Sequence, residues 1–147
     1  MDELLYHNSA VMVTLTYDEK HLAELNEKHR REHESNPQKY PLLIDSLDRR
    51  EVTNYMRRVK RYFYRKYGIK LTYTYGSEYG SELYTHRPHY HIIIYGLKTE
   101  HARELHALWG KDVFDVGFKV SPLRNQKGAE YVSKYIQKNL DNYYWKL

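Results

Sequence analysis

Runs in which apolar and polar residues alternate, or in which β-branched and aromatic residues dominate, mark the predicted strands of this chain. The run AVMVTLTY at 10–17 alternates and predicts the first strand. KLTYTYGSE at 70–78 and PHYHIIIY at 88–95 lie on either side of a polar loop, which predicts a hairpin. A further strand is predicted at 113–120, and a short edge strand at 41–44.

Helical periodicity and helix-ending residues fill the intervals between these strands. The pattern Asp48-x-x-Glu51 resembles a capping box, and Gly68 marks the end of the helix that follows it. The helices are predicted at 19–35, from 48 to 67, at 99–109 and at 127–139. This order of elements predicts an α+β fold: a central antiparallel sheet of about five strands flanked by helices, in a single domain over residues 1–147.

Composition excludes several classes of protein. The chain has 147 residues and no cysteine, which excludes a disulfide framework, a thiolate metal site and a cysteine nucleophile. No apolar stretch is long enough to span a bilayer, and the first residues, MDELLYHN, are unlike a signal peptide. We therefore expect no membrane partner and a cytoplasmic location.

The balance of charge and aromatic residues points to an anionic partner. Lys and Arg number 24 against 19 acidic residues, and 17 tyrosines are interleaved with them. Cations paired with phosphates and aromatic rings stacked on bases suit single-stranded nucleic acid, but tyrosine in place of phenylalanine in the core is an equal alternative. Segment 46–68 carries eight basic residues against Asp48 and Glu51. Its Arg57, Arg58 and Arg61 are the candidate DNA contacts, and a merely solvated helix face remains open for each.

The most specific local pattern is His89-Tyr90-His91 followed by three isoleucines. On a strand the two histidines project from the same face, and a metal ion is the usual reason to place two imidazoles together. If the hairpin turns about residues 83 and 84, Glu78 lies opposite His89 and supplies a third ligand. Two imidazoles and one carboxylate with open positions suit Mg²⁺ or Mn²⁺ beside a phosphate.

Other interpretations of the histidines stay open at this point. The pair can be simply exposed on a sheet face, and the same ligand set also fits a non-haem Fe(II) oxygenase. Glu82 or His86 in the hairpin loop is an alternative third ligand. His29 and His33, four residues apart on a helix, indicate a solvated face rather than a site.

The last predicted helix repeats the unit Tyr-x-x-Lys. Tyr131 and Tyr135 lie one turn apart on one face, and Lys134 and Lys138 follow them. A tyrosine hydroxyl is a weak nucleophile at its ordinary pKa near 10, and a cation or a metal-bound phosphate nearby lessens that handicap. A tyrosine core stripe with two surface lysines is the plainer interpretation of this segment alone.

These three segments together resemble the motifs of the HUH endonucleases, in the order found in rolling-circle replication initiators. Residues 13–17 (VTLTY) resemble the first motif, Glu78 with residues 87–94 (RPHYHIII) the second, and residues 131–138 (YVSKYIQK) the third, in its two-tyrosine form. The set is similar to the initiators of microviruses and gokushoviruses, small single-stranded DNA bacteriophages. The resemblance implies an RRM-like or ferredoxin-like nuclease fold.

The resemblance also implies a chemistry. Mg²⁺ or Mn²⁺ held by the histidine pair and Glu78 would polarise one phosphodiester of single-stranded or melted origin DNA. Tyr131 or Tyr135 would attack it, leaving a 5′-phosphotyrosine and a 3′-OH that host replication machinery extends, while Lys134 and Lys138 position the phosphate. Arg87 is a further DNA-contact candidate. A single-strand tyrosine transposase and a non-catalytic single-stranded DNA-binding module are the alternatives; the oligomeric state is not predicted.

Overall fold

The fold was analysed in a computed structural model, which describes residues 9–79 and 87–110, together with the backbone of residues 119–123. Four antiparallel strands form one sheet in the order β2-β3-β1-β4. The strands are β1 (Ala10–Leu15), β2 (Thr72–Tyr79), β3 (Pro88–Tyr95) and β4 (Lys119–Leu123). The helices are α1 (Glu19–Ser35), α2 (Arg49–Tyr67) and α3 (Ala102–Trp109), the last preceded by a 3-10 turn over Thr99–His101. The predicted α+β class is confirmed.

The two long helices begin and end where the sequence predicts. Asp18 caps α1 by accepting a hydrogen bond from the backbone N–H of His21 at 2.7 Å. Asp48 caps α2 by accepting from the N–H of Arg50 at 2.9 Å, and Gly68 ends it in the left-handed region at φ 69°. The second half of the predicted capping box is wrong: the N–H of Asp48 donates to the Tyr90 hydroxyl at 2.9 Å, and the Glu51 carboxylate accepts from Tyr17.

The core lies on one face of the sheet, between the strands and helices α2 and α3. Alternate residues of β1 and β3 point into it, and α2 contributes one helical face. The fully buried side chains of this core include Val11, Val13, Leu15, Tyr90, Ile92 and Ile94 from the strands, and Val52, Tyr55, Met56, Val59 and Phe63 from α2. Because strand residues alternate between faces, His89 and His91 point to the other face, away from these helices.

Three predicted elements differ from the structure or lie outside it. Residues 41–44 are not a strand: Leu42 is 54% and Ile44 68% exposed, and the segment pairs with no strand within the part of the chain that the structure describes. The strand predicted at 113–120 is observed as Lys119–Leu123. The helix predicted at 127–139 lies outside the described residues, and the described sheet has four strands where about five were predicted.

His29 is the other correction. We expected it on a solvated face, but its side chain is 1% exposed and its Nε2 lies 2.9 Å from the carboxylate of Asp48. Burial raises the pKa of that carboxylate, yet hydrogen bonds from His29 and Arg50 outweigh the effect and hold the pKa well below its usual range. The pair therefore serves to fix α1 against the start of α2 rather than to hold a ligand.

Candidate functional site

The candidate site lies on the face of the sheet that α2 and α3 do not cover. His89 and His91 both project from β3 toward this face, as predicted from their spacing. Tyr90, between them, points the opposite way into the core, where its hydroxyl accepts a hydrogen bond from the N–H of Asp48. The histidine strand is thus attached to the start of α2 through the residue that separates the two imidazoles.

Glu78 completes a three-residue cluster with the histidines. It is the cross-strand partner of His89, which confirms the predicted register of the hairpin. Its carboxylate reaches diagonally to the other imidazole, with Oε1 2.7 Å from His91 Nε2. Gly76 lies directly across from His91 and contributes no side chain there, which leaves room for this diagonal contact.

Thr16, just after the end of β1, determines which nitrogen of His89 carries the proton. Its hydroxyl donates to the carbonyl oxygen of Pro88 at 3.1 Å, and its Oγ1 lies 2.8 Å from His89 Nδ1. A hydroxyl has one hydrogen, so Thr16 must accept from Nδ1–H. In neutral His89 the lone pair is then at Nε2, the atom a metal ion would need.

Thr14 makes the equivalent contact to the second histidine. Its Oγ1 lies 3.2 Å from His91 Nδ1, and the two residues are register partners across β1 and β3. Both imidazoles therefore rest their Nδ1 atoms on threonine hydroxyls of one central segment. Contacts of this kind fix ring orientation in metal sites, where the second ring nitrogen binds a carboxylate, carbonyl or similar group.

Trp109 connects this arrangement to the core. Its indole N–H donates to the carbonyl oxygen of Thr16 at 2.9 Å, and its ring packs on Tyr17 and Tyr55 with centroids 5.4 and 5.5 Å apart. The sequence analysis identified the histidines and Glu78 but assigned no site role to Thr14, Thr16 or Trp109. The alternating VTLTY pattern places both threonines on one face, but only the register of β1 against β3 shows which histidine each one contacts.

The described part of the chain contains no three His, Asp or Glu side chains already spaced around a common metal position. Here Glu78 and His91 are hydrogen-bonded to each other, and the His89 ring is held from its Nδ1 side. The donors themselves nevertheless suit a divalent ion: one carboxylate and two imidazoles on two adjacent strands, in contact or in register, with both imidazole orientations set by hydroxyls.

Arg87 precedes β3 and is tied to neighbouring groups. Its Nη1 donates to the carbonyl oxygen of Tyr17 at 2.9 Å, and its Nη2 lies 3.5 Å from the carboxylate of Glu19. Its side chain is therefore held at the end of the candidate site where β1 ends and β3 begins. Its predicted DNA contact stays a prediction.

The other predicted site residues are not brought to this face. Arg57, Arg58 and Arg61 are exposed on α2, on the far side of the sheet from the histidines. The predicted nucleophiles and their lysines, Tyr131, Lys134, Tyr135 and Lys138, lie outside the described residues, as do the alternative ligands Glu82 and His86. Their roles stay predictions.

A scan against protein-family models matches residues 10–140 to a model of the replication-associated protein ORF2 family. The chain belongs to this family. The match to the ORF2 family extends over most of the chain, including the histidine pair, Glu78 and the two predicted tyrosines. Membership indicates a role in replication, and with it an interaction with DNA.

Two further comparisons add no relative. No curated protein and no solved structure matches this ORF2-family chain. Among the described residues, no helix is both long enough and apolar enough to cross a membrane. The function is therefore argued below from the site and the family.

Proposed function

We propose that this ORF2-family protein is a metal-dependent HUH-type endonuclease that nicks and rejoins single-stranded DNA through a 5′-phosphotyrosine, initiating and terminating rolling-circle replication. The observation that carries the proposal is the cluster of His89, His91 and Glu78 on the sheet face opposite α2, with both imidazoles oriented by threonines. The order β-α-β-β-α-β, with a second helix after the first, is that of ferredoxin-like folds and supports the nuclease resemblance.

The metal would be held by Glu78, His89 and His91. When bound, Mg²⁺ or Mn²⁺ would polarise a phosphodiester and stabilise the negative charge that develops on its oxygens. The residues already favour the required protonation state at His89, because Thr16 takes its Nδ1 proton. Glu78 and His91 would exchange their mutual hydrogen bond for contacts to the ion.

The chemistry on the protein side is a transfer of one phosphoryl bond. The hydroxyl oxygen of Tyr131 or Tyr135 attacks the phosphorus and loses its proton, and the bond to the 3′ oxygen breaks. The products are a tyrosine ester of the 5′ phosphate and a 3′-OH, with Lys134 and Lys138 positioning the phosphate or the leaving oxygen. Because the phosphotyrosine conserves the bond energy, rejoining needs no nucleotide cofactor.

Two nucleophiles suit the full replication cycle. While one tyrosine carries the 5′ phosphate, host polymerase extends the 3′-OH and regenerates the origin. The second tyrosine then cuts the new origin, and the released 3′-OH attacks the first phosphotyrosine to close a circle. The proposed substrate is single-stranded or melted origin DNA, and the functional parallel is a microvirus-type initiator acting in a bacterial cytoplasm.

The proposal predicts a covalent protein–DNA adduct that depends on a divalent ion. The full chain is incubated with a pool of end-labelled single-stranded oligonucleotides and Mn²⁺ or Mg²⁺, then run on a denaturing gel. Label should migrate with the protein, disappear with EDTA and return when the ion is restored in excess. Binding of the oligonucleotides with no adduct under any metal would instead support a non-catalytic binding module.

Thr16→Val provides a finer test of the metal arrangement. The substitution keeps the shape of the side chain but removes the acceptor for His89 Nδ1–H, so the imidazole loses its orientation and its bias toward a lone pair at Nε2. We expect apparent affinity for Mn²⁺ to fall about 10- to 100-fold, the usual effect of removing such a partner. Titration of adduct formation against Mn²⁺ checks it, and activity should recover at high metal. A loss that no metal concentration restores would contradict this role.

The matched control is Thr74→Val on β2. Thr74 is register partner to Ile93, lies on the same face of the sheet, and is two strand positions from the residue opposite His91. It should leave the metal titration unchanged, because the imidazole Nδ1 atoms contact Thr14 and Thr16 instead.

A further inference from the structure

The outward face of α2 carries a straight row of arginines. Arg57, Arg61 and Arg65 are exposed and follow one another at four-residue spacing, about 6 Å apart along the axis. The buried face of the same helix packs on the core side of the sheet, so the row lies on the side away from His89 and His91.

Two cavities open along this row. One of about 470 Å³ lies between α2 and α3, and the other, of about 490 Å³, lies between α2 and β2. Arg57 lines both cavities, so they continue one another, and we refer to them together as the α2 tract. The first is lined by Arg57, Arg58, Arg61, Tyr62, Arg65, Lys66 and Leu108; the second adds Arg49, Arg50, Thr53, Asn54 and Tyr75.

The charges of the row are not neutralised within the described protein. In the part of the chain that the structure describes, Arg57, Arg61 and Arg65 have no carboxylate within salt-bridge distance, although like charges four residues apart destabilise a helix. Elsewhere the chain pairs its arginines: Arg30 with Glu27 and Glu34, and Arg50 with Glu32. The row therefore contrasts with these paired arginines.

Part of the tract is held in place before any ligand binds. The Arg58 Nε donates to the carbonyl oxygen of Leu108 at 3.1 Å, and its guanidinium lies over the Tyr55 ring at 5.9 Å. Lys66 donates to the Tyr62 hydroxyl at 3.0 Å and lies over that ring. These contacts leave the outward guanidinium groups of the row available along a rigid support.

We propose that the α2 tract binds the phosphate backbone of duplex DNA next to the cleavage site, as a second DNA surface separated from the histidine face by the sheet. Guanidinium groups bind phosphate oxygens with two parallel hydrogen bonds, and a row of them along a tract suits a polyanion better than a small anion. The family's role in replication makes that polyanion DNA. This inference rests on that role and on the charges, and not on the nicking chemistry.

Duplex rather than single-stranded DNA fits the lining of the tract. Single strands are held by aromatic rings on which bases stack. Each cavity contributes one aromatic residue, Tyr62 or Tyr75, and these rings are engaged: Tyr62 by Lys66 and Glu104, and Tyr75 by stacking against Tyr73. A straight row of cations on a rigid helix matches the stiff and densely charged backbone of a duplex.

The test is the salt dependence of duplex binding. Affinity of the full chain for a short fluorescent duplex of arbitrary sequence is measured by anisotropy between about 50 and 200 mM salt, in EDTA so that no nicking enters. The variant is Arg57→Gln with Arg61→Gln and Arg65→Gln. We expect the slope of log K against log salt to become shallower by about 2 to 3, because each lost phosphate contact removes about 0.9.

The control removes the same charge from another helix. Lys20→Gln with Arg30→Gln and Arg31→Gln lowers the net charge equally on α1 and should leave the slope nearly unchanged. The triple substitution of the row to lysine keeps the charge and should keep the slope, which separates lost charge from lost structure. Equal effects of the two glutamine variants, no effect of the α2 variant, or an effect on single strands alone would each overturn the proposal.

Discussion

Replacing both histidines of β3 by alanine should abolish adduct formation while the protein stays folded. The expected loss for His89→Ala/His91→Ala is more than about 100-fold, because loss of an outer partner of a ligand alone costs 10- to 100-fold. Both side chains point away from the core that α2 and α3 form, so their removal opens no cavity in that core. Adduct yield is measured on the denaturing gel, and the fold by far-UV circular dichroism.

A metal-binding measurement makes this prediction independent of cleavage. Calorimetric titration with Mn²⁺ should show binding to the wild-type chain and none to the double variant. His33→Ala is the matched control: this histidine lies on α1, with its Nδ1 2.8 Å from the carbonyl oxygen of Tyr40, and should affect neither readout. Undiminished cleavage by the double variant would contradict the metal assignment. Glu78→Ala should resemble the histidine variants unless Glu82 or His86 is the third ligand.

The second large effect concerns the two tyrosines of the last predicted helix. The double variant Tyr131→Phe/Tyr135→Phe should form no adduct, whereas each single variant should retain some cleavage of a simple oligonucleotide. Helical spacing places both hydroxyls on one face about 6 Å apart, so a small shift of helix or DNA presents either one to the same phosphate. Full cleavage and joining should need both, because one tyrosine is occupied by the 5′ phosphate while the other cuts.

Described tyrosines provide controls and narrow the choice of nucleophile. Burial raises the pKa of Tyr17, Tyr55 and Tyr90, and each of these side chains is at most 1% exposed, so none can present an oxyanion to DNA. Tyr40→Phe, on the loop after α1, should leave both adduct yield and joining unchanged. If one of the two single variants is inactive and the other is wild-type in joining, the enzyme uses one tyrosine, as a transposase-type enzyme would. Tyr131 is the residue we expect in that event.

Local signals were sufficient to predict the helices and the histidine strand. The aspartates that cap α1 and α2 and the glycine that ends α2 are short-range features, and the observed bounds follow them. The register that sets Glu78 opposite His89 follows from the symmetry of one hairpin. Each of these inferences needed only residues close together along the chain.

Features that depend on residues distant along the chain were not predictable. The apolar segment 41–44 has the composition of a strand but finds no sheet edge to pair with in the described structure. His29 becomes buried because Asp48, nineteen residues on, requires a partner. The threonine contacts to the imidazoles depend on how β1 pairs with β3, with a sequence separation of more than 70 residues. Nor does any local pattern indicate that the arginines of α2 and the histidines lie on opposite sides of the sheet.

The attachment of Tyr90 to Asp48 has a consequence for how the active species forms during folding. If β3 shifted by one residue, Tyr90 would turn outward, both imidazoles would turn into the apolar layer, and the hydrogen bond from the Asp48 N–H would be lost. Such a molecule would be unstable as well as unable to gather its ligands. Correct assembly of the ligand set and stable folding are therefore one event, so in any preparation the catalytically competent fraction should equal the natively folded fraction.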